Sequence, residues 1–212
     1  RQTLSARTDD PLRMRVKIWL FLLLIGLGMS ATMGATARER VTVCFNYGCL
    51  NTAEVKFKRQ QLTEVREMLE DAIDAEHERA LIAVVIGRLL GWAGEQSPIW
   101  ADRGGNYADD GVYGKMDCID HSITTTRLLK MLENRGWLRW HKVLEPEVRS
   151  FILFFHHWSA VIEERPRRPF RDRVPDSSMR YAVDSWFRDN GKPAVIQPLG
   201  YWMDWKDPDD DE

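Results

Sequence analysis

The 212-residue chain carries a formal net charge of -2, with 29% charged and 44% hydrophobic residues. Near-neutral charge excludes a typical nucleic-acid binder, and this apolar content excludes a disordered chain. The composition is that of a globular protein with an unusual load of nine tryptophans and three cysteines.

The N-terminus reads as a targeting segment. Met14-Arg-Val-Lys17 is a short positive region, followed by the apolar run IWLFLLLIGLGM and then SATMGATA, which ends in an A-x-A cleavage signature. Residues 14–37 therefore read as a signal peptide and residues 1–13 as a non-native extension ahead of it. The other reading is an uncleaved anchor, since Ile18 to Ala37 is long enough to span a bilayer. Either way the chain is expected to be exported, periplasmic or secreted, with membrane contact only through such an anchor. The 175 residues left after removal hold 25 basic and 30 acidic side chains, which is one domain's worth, taken as 38–204.

Export allows disulfides to persist. Cys44 and Cys49 lie in VTVCFNYGCLNTAEVKFK, where two strand-like runs flank Asn-Tyr-Gly, so a chain reversal brings the sulfurs within bonding range. Their pairing leaves Cys118 odd, either a buried hydrophobe, a metal ligand or a reactive thiol.

Two helical patterns follow. From Thr63 the apolar positions Val65, Met68, Leu69, Ala72 and Ile73 share one face, and a second helix from about Ala75 runs through Leu90 to Gly91 and Gly94. The glycine- and aspartate-rich SPIWADRGGNYADDGVYGKMD has no period and reads as a loop beside any active site. The helix CIDHSITTTRLLKMLENRG comes next, with Asp117 as N-cap and Gly136 beyond its end. Cys118 thus falls in a first helical turn, where unpaired N–H groups and the helix dipole favour a thiolate.

Beyond Gly136 the pattern is that of strands: Trp137–Leu144, a turn at 145–149, Phe151–Ile162, a basic Pro-rich loop, Met179–Phe187, a hairpin turn at Arg188–Gly191, and a short strand from Pro193 to Ile196. Residues 205–212 form an acidic tail. Helices first and an antiparallel sheet after them make the class α+β.

Two positions break the apolar strand pattern. His156 and His157 lie within FHHWSAVIEE, and Asp184 lies in RYAVDSWF. Alternation puts His156 and Trp158 on one face and His157 and Ser159 on the other. Cys118, a histidine and Asp184 are the set that nucleophilic acyl transfer needs: a thiolate to attack a carbonyl, an imidazole to carry the proton and a carboxylate to hold the tautomer.

The three segments MDCIDHS, FHHWSAVIEE and RYAVDSWF, in this order, resemble the transglutaminase-like superfamily of cysteine enzymes, over roughly residues 95–190. The resemblance implies a papain-like core, with the cysteine at a helix N-terminus packed against an antiparallel sheet. It carries the nucleophile onto Cys118, the H-x-W histidine onto His156 with Trp158 beside it, and the acid onto Asp184. His157 is the alternative base. The Cys118 N–H is the default oxyanion donor, and Trp100, Tyr107 and Tyr113 are candidate cleft residues. No cofactor is implied. The Cys118/His121 spacing suits a zinc pair, but no second ligand pair accompanies it, so no metal is expected and Asp120 and His121 read as a solvated or capping surface. His141 reads as structural, and the tryptophans at 137, 140, 202 and 205 as core or lid. The expected function is hydrolysis of a peptide or amide bond through a Cys118 thioester, by a monomer acting on a peptide or protein. The alternative is a catalytically silent module of the same family that binds a partner in the cell envelope.

Overall fold

The computed structural model describes residues 39–106, 108–151, 155–166, 177–206 and 208. The leader read at 14–37, Tyr107, most of the basic loop and most of the acidic tail lie outside these.

The first elements form a hairpin. Strands β1 (Glu39–Phe45) and β2 (Asn51–Phe57) pair antiparallel and send Val41, Val43, Phe45, Val55 and Phe57 into the core. Between them Asn46, Tyr47, Gly48 and Cys49 take φ of 66, 65, 62 and 57° in succession, a full left-handed turn. Such backbone costs about 1–2 kcal/mol for each non-glycine residue. The Cys44–Cys49 disulfide closes the turn, and two carboxylates described below hold its N–H groups.

Helix α1 (Arg59–Glu70) buries Leu62, Val65 and Leu69. It starts before Thr63 and stops before Ile73, because Asp74 caps the next helix by accepting the His77 N–H at 2.8 Å. Ile73, expected on the apolar face, falls in the connection and is 77% exposed. Helix α2 (Ala75–Gly94) is buried through Ile82, Val85, Ile86, Leu89 and Leu90 and runs through the core. Helix α3 (Cys118–Asn134) is N-capped by Asp117, whose carboxylate accepts the Asp120 N–H at 2.8 Å while Asp120 accepts the Asp117 N–H at 3.2 Å. At its far end Gly136 takes φ 71°, the left-handed cap a side chain would disfavour.

The main sheet is antiparallel, in the order β3 (His141–Val143), β5 (Phe155–Glu164), β6 (Arg180–Asp184) and β7 (Val195–Pro198), while β4 (Glu147–Phe151) pairs with the first half of β5. Three expectations change here. The single strand read over 151–162 is divided: Phe151 closes β4 and Phe155 opens β5, and the two are paired antiparallel. The strand read over 137–144 shrinks to 141–143, because the buried Glu78 carboxylate accepts the N–H of Arg139 at 2.7 Å and of Trp140 at 3.0 Å, diverting those donors from any ladder. The turn read at 145–149 is instead largely β4, in register Glu147↔Ser159 to Phe151↔Phe155.

Helix α3 lies across β5 on one face of the sheet, together with α2 and the β1–β2 hairpin. On the other face Val161 and Ala182 pack against Leu199 and Trp202 of the short α4 (Leu199–Met203). Covered on both faces, β5 is buried continuously from Ser159 to Glu163, and a strand in that position reads as an apolar run. The protein is α+β, helices on an antiparallel sheet.

Candidate active site

Cys118 opens α3 directly against β5. Its Sγ lies 3.8 Å from the His156 carbonyl oxygen, and the residue is half-buried, the one free cysteine of the chain. It lines a cleft of about 240 Å³ whose other walls are Tyr47, Asn106, Asp117, Phe155, His156, His157, Trp186 and Trp205.

The histidine that meets it is His157, a correction to the expected His156. Register is the reason. Ala160 opposes Val183 across β5 and β6, and directly opposed residues share a face, so Asp184 faces the side of Ser159 and His157. His157 Nε2 donates to Asp184 Oδ2 at 2.6 Å, leaving Nδ1 for Cys118, with which the ring also interacts. His156 projects from the other face, exposed, with Nδ1 2.8 Å from Ser150 Oγ on β4. Burial works against a charged His157 ring, but the hydrogen bonds and charges of Asp184 and Cys118 outweigh it and hold the pKa up at about 9.

Asp184 is fully occupied. Its Oδ2 also accepts the Trp202 indole N–H at 2.9 Å, and Oδ1 accepts the Trp186 N–H at 3.2 Å. Rings of Trp186, Phe187 and Trp202 surround His157 with centroids 4.9, 5.5 and 5.7 Å away. The pair is 3% and 2% exposed, so it works out of water, where its electrostatics are strongest.

The disulfide-closed turn forms one wall. Asp120 accepts the N–H groups of Tyr47 (Oδ2, 2.8 Å) and Cys49 (Oδ1, 2.6 Å), and Asp117 accepts that of Gly48 at 2.9 Å. The residues that cap α3 thus also fasten the left-handed turn beside Cys118. Burial, then the neighbouring Asp117 charge, pushes Asp120 up to about 6 despite those donors. The Tyr47 hydroxyl donates to Asp109, which also takes the Asn106 amide at 2.7 Å and Lys115 at 3.1 Å, so the glycine-rich loop is tied to the turn. The same loop docks behind β6. Gly105 N–H donates to Trp186 O at 2.9 Å, and a Cβ on Gly104 would lie 2.4 Å from Phe187 O, so only glycine allows this approach, which sets Asn106 in the cleft.

Asp120 and His121, expected as a solvated or capping surface, are both buried, though Asp120 does cap α3. His121 Nδ1 lies 2.8 Å from Ser185 Oγ and Nε2 2.9 Å from Asp102 Oδ2, while Asp102 Oδ1 accepts the Met116 N–H at 2.9 Å. With both ring nitrogens engaged, His121 cannot form a zinc pair with Cys118. This knot fastens the first turn of α3 to the residue after Asp184, which fixes Cys118 and Asp184 relative to each other. His141 is likewise buried, with Nδ1 2.7 Å from Glu78. Cys44, Cys49 and Asp120 come close together, but both sulfurs are spent in the disulfide.

Of the other candidate cleft residues, Trp158, Trp100 and Tyr113 lie elsewhere. Trp158 faces away, opposite Val148. Trp100 is 66% exposed on the 3-10 turn Pro98–Ala101, and Tyr113 is 67% exposed and packs edge-on against Phe45 at 5.7 Å. Tyr107 is outside the described residues. Tyr47, Asn106, Phe155 and Trp186 are site residues that the sequence pattern did not single out, while Trp202 and Trp205, expected as core or lid, are a core indole bonded to Asp184 and a cleft wall. The signal available was the tryptophan content near Asp184. Among the described residues no helix is long and apolar enough to cross a membrane.

No family model, curated protein or solved structure matches the chain.

Proposed function

We propose that the protein is an exported, transglutaminase-like cysteine enzyme with a papain-like disposition of its site, in which Cys118 at a helix N-terminus transfers an acyl group by way of a thioester. The observation that carries the reading is the run of contacts from Cys118 through His157 to Asp184, the first two lining the cleft and Asp184 buried behind them, with Asp184 held by three donors and His157 by three rings. A thiol that is half-buried and lines an open cleft favours the enzyme over the silent binding module.

The steps follow from the geometry. His157 Nδ1 takes the Cys118 proton, and the sulfur forms a bond to the substrate carbonyl carbon, moving an electron pair onto oxygen. Charge developing on that oxygen is met by the Cys118 N–H, which has no partner within its helix. The oxyanion collapses, the C–N bond breaks, and the leaving amine takes the proton from His157. Water then attacks the thioester with His157 as base, the C–S bond breaks, and acid and thiol are released. Asp184 keeps the Nε2–H tautomer throughout, so that Nδ1 is the nitrogen facing sulfur.

The test is the alkylation rate of Cys118 by iodoacetamide from pH 5 to 10, on the full chain with its disulfide intact. Fast reaction well below the free-thiol pKa of about 8.5, lost in His157→Ala, supports the paired nucleophile. A rate that follows an ordinary thiol, or none, returns the chain to the binding module.

A further inference from the structure

The cleft beside Cys118 has a chemical character of its own. Four of its walls are aromatic: Tyr47, Phe155, Trp186 and Trp205. Trp186 also serves His157, and Trp205 lies beneath the Arg149 guanidinium at 4.4 Å. Phe155, at the start of β5, is 63% exposed. Its ring extends the aromatic lining of the cleft toward solvent. Trp205 is held over the same cleft with φ of 59°, its N–H donating to Trp202 O at 3.1 Å.

The charge is one-sided as well. Asp117 lines the cleft, no lysine or arginine does among the described residues, and the His157 cation is already paired with Asp184 at 2.6 Å. Behind the Tyr47 wall, burial and then Asp109, Asp110 and Asp117 hold the phenol proton more tightly than usual, which registers a negative field there. Lys115 offsets part of it through Asp109. An anionic group entering beside Cys118 would meet Asp117 and have to compete with Asp184 for the His157 cation, losing its water without a counter-ion of its own. At about 240 Å³ the cleft is also smaller than the ~300–1,000 Å³ that surrounds a whole small-molecule ligand. It has room for one side chain beside the scissile carbonyl, with the rest of the chain lying over the surface.

We infer that the acyl donor is a peptide whose residue at the scissile carbonyl carries an uncharged aromatic side chain, seated between Phe155 and Trp205, and that acidic residues are rejected at this position. The inference rests on the acyl-transfer reading and narrows it to a substrate class. The aromatic ring meets ring faces and edges on several sides, an arrangement that adds to plain area burial.

The experiment compares acid release at constant pH 7 from the methyl esters of N-acetyl-phenylalanine, N-acetyl-alanine and N-acetyl-glutamate, using the full chain with its disulfide intact and Cys118→Ala as the blank. The expected order of kcat/KM is Phe over Ala over Glu, with Phe ahead of Ala by roughly ten- to hundredfold, the range that apolar pockets achieve. In Phe155→Ala, an exposed position, and in Trp205→Ala, the Phe-to-Ala ratio should fall toward one. Equal turnover of the three esters, preference for Glu, or a ratio unchanged in Phe155→Ala overturns the substrate inference and leaves the acyl-transfer reading standing. No Cys118-dependent turnover of any ester overturns both.

Discussion

Replacing Asp184 by asparagine separates the charge of the acid from its shape. In the native protein Asp184 accepts three N–H groups, from His157, Trp202 and Trp186. An amide of the same size has one oxygen, so at least one buried donor loses its acceptor, at about 1–3 kcal/mol. The charge contributes a second, pH-dependent part. His157 has its pKa raised from 6.5 to about 9, and Asp184 is the first of the two groups that raise it against burial. A raised histidine pKa means that the folded protein holds the proton more tightly than the unfolded chain. This stabilisation is present in full below about pH 6.5 and is lost as pH rises through about 9. A shift of this size corresponds to at most about 3 kcal/mol, shared between Asp184 and Cys118. Urea unfolding of wild type and Asp184→Asn at pH 6 and pH 10 measures it. The stability gap should be widest at pH 6 and narrower by about 1–3 kcal/mol at pH 10, where only the lost hydrogen bond remains. A gap equal at the two pH values would refute the ion-pair account of the site. In turnover, loss of the His157 proton should remove the general acid, so kcat/KM of the wild type should fall above about pH 9.

Three further outcomes test other parts of the structure. His157→Ala should lower acyl transfer by about a hundred- to ten-thousandfold, whereas His156→Ala, an exposed ring bonded to Ser150, should cost no more than about tenfold; steady-state rates decide, and the reverse order would exchange the two histidines. The double variant Cys44→Ala/Cys49→Ala should lose about 2 kcal/mol or less in urea, as a loop this short restricts the unfolded chain little, while amide exchange at Tyr47 and Gly48 should accelerate because the left-handed turn loses its closure. Unchanged exchange there would show that Asp117 and Asp120 hold the turn alone. His121→Ala strands buried groups on Asp102 and Ser185, so it should lower stability by at least about 2 kcal/mol, seen as a lower urea midpoint.

Some features were legible from local pattern because local physics decides them. The period of apolar residues marks α1 and α2, and β1 and β2 can be read from the strand-like runs around Cys44 and Cys49. Asp117 and Gly136 are capping residues wherever a helix starts or stops, which makes the extent of α3 readable as well. Helices followed by alternating and apolar strands suffice for the α+β class. The strand over 137–144 and the turn over 145–149 were misread for a tertiary reason: Glu78, some sixty residues earlier, captures the N–H groups of Arg139 and Trp140.

The chemistry of the site divides in the same way. Cys118, Asp184 and a histidine of the His156–His157 pair are visible in the sequence because thiol, carboxylate and imidazole stand out in or beside apolar elements. The choice between adjacent histidines was not visible, since neighbours on a strand point to opposite faces and only the pairing of Ala160 with Val183 says which face Asp184 occupies. The burial of His121, the indole of Trp202 on Asp184, and the arrival of Tyr47 from a hairpin some seventy residues before Cys118 are products of long-range packing. Sequence alone determined which functional groups the chain has and which local elements bear them. Only the tertiary structure decided which of those groups meet, because strand register and loop docking are set by contacts between residues far apart in the chain.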